Sequence, residues 1–208
     1  GHFKMTDLSK YAHLVPLSLD VDLFEDERYI YHYTEERLTL REVKKGERQL
    51  VVPFSVNGFQ VESFNPNTAL PSVIEEIYIG KNINSLGQNL CGLEQYAPSV
   101  KHAYVDPSNP HMESYGQVVY RSYPYYIPAA ATIIQIKPMR TIGKGFFYNH
   151  SKVETIIIQP GTEIVGEYSI ENCPNLKVAY IPEETQVLEK SFYGVHPSFQ
   201  IIYRNSEK

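Results

Sequence analysis

The sequence predicts a mainly β repeat solenoid, and two observations carry that prediction. Residues 141–203 repeat themselves three times at a period of 23, reading TIGKGFFYNHSKVETIIIQPGTE, then IVGEYSIENCPNLKVAYIPEETQ, then VLEKSFYGVHPSFQIIYRNSEK. At that period Ile142, Val165 and Leu188 share one column, Val153, Leu176 and Phe199 a second, Ile156, Ala179 and Ile202 a third, and Ile158 and Ile181 a fourth. The same pattern runs upstream at a constant offset, where Ile77 and Ile79 match Ile156 and Ile158, and Leu86 with Gly87 matches Val165 with Gly166. A block this short cannot bury its own apolar side chains, so the blocks must stack as coils around one shared core.

Length and composition fit that architecture and narrow the function. A chain of 208 residues suits one domain or one repeat array with an N-terminal cap. Cys91 and Cys173 lie several coils apart in this register, too far to bridge, and read as buried small apolar residues. A net charge of −5 without a Lys/Arg cluster argues against nucleic acid or an anionic membrane surface as partner. No apolar run reaches membrane-spanning length. Gly1 in place of an initiator Met reads as a tag-cleavage remnant, with any export signal trimmed away. The chain holds 17 Tyr and no Trp, so tyrosine supplies most of its large amphipathic surface.

In chain order, Thr6–Leu14 is expected as a short helix with Thr6 at its N-cap. Asp20, Asp22, Glu25, Asp26 and Glu27 form an acidic run whose spacing matches no calcium loop and reads as a solvated turn. From Tyr29 to Val43 the period changes to two, with a polar break at Thr34–Glu36, which predicts a β-hairpin. Residues 1–49 are therefore expected as an N-terminal segment with a capping hairpin, and residues 50–208 as the solenoid. Within the solenoid, residues 105–131 interrupt the period with four prolines and five tyrosines, which predicts a hairpin excursion from the stack. About six or seven coils are expected.

The motifs of the last coils resemble the BspA-like, or Treponema pallidum-type, leucine-rich repeat. The resemblance is carried by Ile142, Gly143 and Phe146, by Asn172, Cys173, Asn175 and Leu176, and by Ile181 with Pro182; the VDPSNP stretch and the following QVVY look like that family's interrupted repeat. It covers roughly residues 50–203 and departs from the pattern at Gln159 and Ser169. What it implies is a mainly β solenoid with a parallel sheet along one side and short helical or irregular returns, in proteins mostly secreted or displayed on cell surfaces as adhesion modules. It implies no single ligand, and function has to be argued from a site.

In each x-I-x-I strand the isoleucines face the core and the residue between them faces out. That middle position reads Tyr78, Tyr104, Gln135, Ile157, Tyr180 and Tyr203, and the next outward position reads Glu76, His102, Thr155, Val178 and Ile201. An aromatic ladder of this kind either stabilises a parallel sheet, at about 0.2–1 kcal/mol per neighbouring pair, or forms a binding face. Tyr123 and Tyr125 of the interruption flank the same surface or pack on the coils below it. His150, Cys173 and His196 share a second column that is a candidate metal site, although no fourth ligand accompanies them and the resemblance explains the cysteine by packing. No GxSxG, HExxH, phosphate-cradling loop or CxxC is present. The expectation is a non-enzymatic extracellular or cell-surface domain, without cofactor, that binds a protein or glycan. A structural spacer or self-assembly module is the alternative, and a cryptic hydrolase the third reading.

Overall fold

The structure, a computed structural model, describes the backbone of residues 15–16 and all of residues 22–92 and 94–205. The helix expected at Thr6–Leu14 and Asp20 of the acidic run lie outside the described residues. The fold is a β-solenoid of about 7 turns, divided into two compact units, Gly1–Glu113 and Ser114–Lys208.

In the first unit, β1 (Val15–Pro16), β2 (Leu23–Glu25), β3 (Tyr29–Thr34) and β4 (Arg37–Val43) pair antiparallel in sequence order. The alternation read from the sequence places Tyr31, Leu38 and Leu40 in the core, each at most 1% exposed. Glu35 and Glu36 close the β3–β4 hairpin with φ of 48° and 64°, the twist-matched two-residue turn that usually calls for Asn-Gly. Only the end of the acidic run is a turn, where Asp26 Oδ1 accepts the N–H groups of Arg28 and Tyr29 at 2.8 and 2.7 Å; Glu25 belongs to β2 and pairs with Lys44 at 2.8 Å. Strand β4 then pairs parallel with a strand of the first coil.

That coil begins with β5 (Gln49–Val51), followed by β6 (Ser55–Val56) and β7 (Phe59–Phe64), the strand that meets β4. The next turn supplies β8 (Glu76–Ile79) and β9 (Ser85–Leu86), returns through α1 (Gln88–Gly92) and a 3-10 turn at Glu94–Tyr96, and reaches β10 (His102–Val105). Strands β5, β8 and β10 form a parallel sheet in which Leu50, Ile77 and Ala103 occupy one register position and are buried.

The second unit opens on the interruption, where β11 (Glu113–Tyr115), β12 (Val118–Tyr120) and β13 (Pro124–Tyr126) form a small sheet with β12 and β13 antiparallel. Three parallel sheets follow. One joins β14 (Ile133–Ile136), β17 (Thr155–Ile158), β20 (Val178–Pro182) and β23 (Gln200–Arg204). The second joins β15 (Thr141–Ile142), β18 (Ile164–Val165) and β21 (Gln186–Val187); the third joins β16 (Phe147–Tyr148), β19 (Ile170–Cys173) and β22 (Phe192–Val195). Ile134, Ile156, Ile158, Val165, Ile170, Leu176 and Ile181 fill the common core.

The register of the last coil departs from the expected 23. Val165 pairs with Val187 rather than Leu188, Ala179 with Ile201 rather than Ile202, and Cys173 with Val195 rather than His196. The left-handed corners move with the strands: Gly145, Tyr168 and Lys190 form one column of positive φ, and Asn149, Asn172 and Gly194 another, so both steps into the last coil are 22 residues. Two adjacent apolar residues make this possible, since Ile201 and Ile202 serve equally well as the inward residue and periodicity cannot choose between them. As a consequence Ile201 packs against the core, Ile202 faces out, and Tyr203 takes the core-side position opposite Ile181.

Candidate functional site

The outward tyrosine column falls into two sheets, one in each unit. In the first unit the outer face of β5, β8 and β10 carries two rows, Gln49–Glu76–His102 and Val51–Tyr78–Tyr104, each held by parallel pairing. The Tyr78 and Tyr104 rings stack with centroids 5.0 Å apart at 25°, and His102 lies near-parallel to Tyr104 at 6.1 Å. Glu76 organises this face from beneath. It is 8% exposed and takes hydrogen bonds from Tyr78 Oη at 3.2 Å, Gln49 Nε2 at 2.9 Å and the Arg48 guanidinium at 3.3 Å. Partial burial, reinforced by the hydrogen bond to Glu76, raises the Tyr78 pKa and keeps its hydroxyl a donor. At the margin Arg48 also pairs with Glu75 at 3.1 Å, and Lys101 sits 3.7 Å from the same carboxylate. Glu75 is consequently held below the usual carboxylate range, first by the Arg48 hydrogen bond and then by Lys101.

In the second unit the outward rows are Ile133–Thr155–Val178–Gln200 and Gln135–Ile157–Tyr180–Ile202. Tyr180 is covered by the Arg204 guanidinium, 4.9 Å from its ring centroid, and Gln159 donates to Gln135 at 3.4 Å. Ile157 and Tyr180 therefore hold the expected outward positions, whereas Tyr203 does not share their column. It is nonetheless 51% exposed, because β23 is the edge strand of its sheet.

The tyrosines of the interruption divide by burial. Tyr120 and Tyr126 are core residues, and the Tyr120 hydroxyl accepts the Lys137 N–H at 3.1 Å. Tyr123 is 52% exposed and meets Tyr125 edge-on at 6.4 Å, while the Arg121 guanidinium lies 4.1 Å over the Tyr125 ring.

The His150–Cys173–His196 column does not form a metal site. His150 is buried, donates from Nε2 to the Pro128 carbonyl at 2.9 Å and accepts the Val153 N–H on Nδ1 at 3.0 Å, which occupies both ring nitrogens. Burial pushes the Cys173 thiol up to about 11, so it is a neutral packing residue. His196 drops out of the column through the shift to 22, and its Nδ1 accepts the Ser198 N–H at 3.0 Å.

Two features of the surface escaped the sequence. Val51, 61% exposed beside Tyr78, belongs to a coil of 27 residues, and the 23-residue period gave no reason to align it with the tyrosines. Tyr148 and Tyr193, 61% and 55% exposed, project from the sheet of β16, β19 and β22, with Tyr193 edge-on to Tyr168 at 5.4 Å. The sequence signal that could have found them is the Phe-Tyr pair that begins both β16 and β22, an inward residue followed by an outward one.

Residues 123–204 match the BspA type Leucine rich repeat region in 6 copies. This stretch is a BspA-type leucine-rich repeat array. Among solved structures, a leucine rich cell surface protein from Faecalibacterium prausnitzii A2-165 aligns over 88% of this chain and 51% of its own, at 14% identity and a TM-score of 0.40. A leucine-rich repeat protein from Eubacterium ventriosum ATCC 27560 aligns over 70% and 46%, at 13% identity and 0.38. The pneumococcal vaccine antigen PcpA aligns over 89% and 82%, at 11% identity and 0.34. The chain spans about half the length of the first two. No curated protein matches its sequence. No helix among the described residues is long and apolar enough to cross a membrane.

Proposed function

We propose that this chain is a non-enzymatic binding domain of a secreted or cell-surface protein and that it engages a protein partner through the outer face of β5, β8 and β10. One observation carries the reading: Tyr78 and Tyr104 stack beside exposed Val51 on a rigid parallel sheet, within a margin of Arg48, Glu75 and Lys101. An aromatic centre inside a charged rim is the anatomy of protein interfaces. Tyrosine contributes large contact area at low rotamer cost, and the Glu76 hydrogen bonds fix its orientation before a partner arrives. His102 extends the face along the same strand. Tyr180 and Ile157 form a separate patch, in which Arg204 already covers the tyrosine ring.

The test is surface-immobilised binding to a panel of purified extracellular-matrix proteins, comparing the parent chain with Tyr78→Ser/Tyr104→Ser and with Tyr180→Ser. Loss of at least tenfold in affinity for the double variant, with an unchanged circular dichroism spectrum, is expected. An identified partner that binds the double variant as tightly as the parent overturns the assignment of this face.

The self-assembly reading draws on a different observation, the exposed Ile202 and Tyr203 on edge strand β23. Light scattering across concentration tests it, and a mass that stays monomeric to about millimolar chain rejects it.

A further inference from the structure

The second unit contains an open cleft of about 440 Å³ between the interruption and the strand-to-strand connection after β14. Arg121 and Ser122 line one side, Lys137 and Arg140 the other, with Pro138 and Met139 between them. The charge of this cleft runs against the chain. Acidic residues outnumber basic ones 24 to 19 overall, yet the described lining holds three cations and neither Asp nor Glu.

The cations are held in place by their surroundings. The Arg121 guanidinium is stacked over Tyr125, which fixes the plane of its fork. The backbone of Lys137 is tied to the buried Tyr120 hydroxyl, so the stem of the lysine emerges from a rigid point. Arg140 pairs at 3.0 Å with Glu163, but both side chains are largely exposed, at 84% and 60%, and such a pair exchanges readily for a better-placed anion. Two arginine forks favour carboxylate geometry. The apolar lining from Pro138 and Met139, with exposed Tyr123 two residues from Arg121, adds a place for an aliphatic side chain.

We propose that this cleft is a binding site for an acidic peptide segment, with Arg121, Lys137 and Arg140 taking its carboxylates and Met139 and Pro138 packing against an apolar neighbour. The site is independent of the tyrosine face assigned above, and its ligand is a solvent-exposed Asp/Glu-rich stretch carrying Leu or Ile. Because the cations lie within a Debye length of the surface, occupancy falls as salt rises.

The experiment uses the full chain and fluorescein-labelled, end-blocked hexapeptides, read by anisotropy at 50 mM salt. An alternating Glu-Leu peptide is expected to bind at least tenfold tighter than the Gln-Leu analogue and severalfold tighter than the Glu-Gly analogue, and to weaken at least fivefold at 300 mM salt. Lys137→Gln and Arg140→Gln should each weaken it at least threefold, whereas Lys152→Gln, exposed on the same unit and outside the cleft, should leave it unchanged. Arg121→Gln is the third cleft variant, with the thermal midpoint checked because Arg121 also packs on Tyr125. Failure of the Glu-Leu peptide to bind overturns the proposal. Equal loss in Lys152→Gln reduces it to diffuse charge attraction and overturns it as well. Tighter binding of a heparin-derived hexasaccharide, sensitive to the same cleft variants, overturns the assignment to peptide.

Discussion

The alternation along β17 can be tested within two neighbouring residues. Ile156 is fully buried, paired in register with Ile134 on one side and Ala179 on the other, while Ile157 beside it faces out and is partly exposed. Ile156→Ala removes three carbons from the core, a transfer loss of about 2.5 kcal/mol at roughly 0.8 kcal/mol per methylene. Ala179 is small and cannot expand into the space, and the stacked strands on either side limit collapse. A residual cavity of about 60 Å³ at roughly 24 cal/mol per Å³ adds about 1.5 kcal/mol, for a total near 4 kcal/mol, inside the range of about 2–5 for such substitutions. Ile157→Ala loses only same-face contact with Gln135 and Tyr180, and its cost should stay below about 1 kcal/mol. Urea unfolding followed by far-ultraviolet circular dichroism measures both, and the thermal midpoint of Ile156→Ala should fall by roughly 8–16 °C. If the two variants lose equal stability, or Ile157→Ala loses more, the inward-outward assignment is wrong and the outward face collapses with it.

The same logic applied to β23 separates the two registers: Ile201→Ser should destabilise by about 1–2 kcal/mol and Ile202→Ser by less than about 0.5 kcal/mol, and the reverse ranking in urea would restore the 23-residue spacing. Replacing Glu35-Glu36 with Asn-Gly relieves two side chains held at positive φ and should raise stability by about 1 kcal/mol, seen as a higher urea midpoint at constant slope. Cys91, partly exposed, should be alkylated by iodoacetamide in the native protein, whereas Cys173 reacts only after unfolding. Because the folded Cys173 thiol is raised to about 11, above its unfolded value of roughly 8.5, its stabilising contribution is complete below pH 8.5 and is lost as pH rises toward 11. The parent should therefore lose more stability than Cys173→Ala between pH 8 and 11, and parallel curves for the two would refute the assignment.

The sequence by itself determined the winding. Columns such as Ile142 with Val165 and Ile156 with Ala179 are visible because inward positions in stacked strands all meet the same dry core and must be apolar at a fixed spacing. It also determined the β3–β4 hairpin and the β12–β13 hairpin of the interruption, where the period changes and turn residues gather. Only the tertiary structure decided what that spacing leaves open. Where two apolar residues are adjacent, as at Ile201 and Ile202, either phase satisfies the pattern, and hydrogen bonding to the preceding coil makes the choice, taking Tyr203 and His196 out of their expected columns. Coils of unequal length hid Val51 next to Tyr78, and residues distant along the chain brought Arg121 and Lys137 to one cleft. Periodicity registers only the demand of the core for apolar side chains. The polar and aromatic surface obeys no such repeating constraint, so its assembly is fixed by where the folded strands set their neighbours.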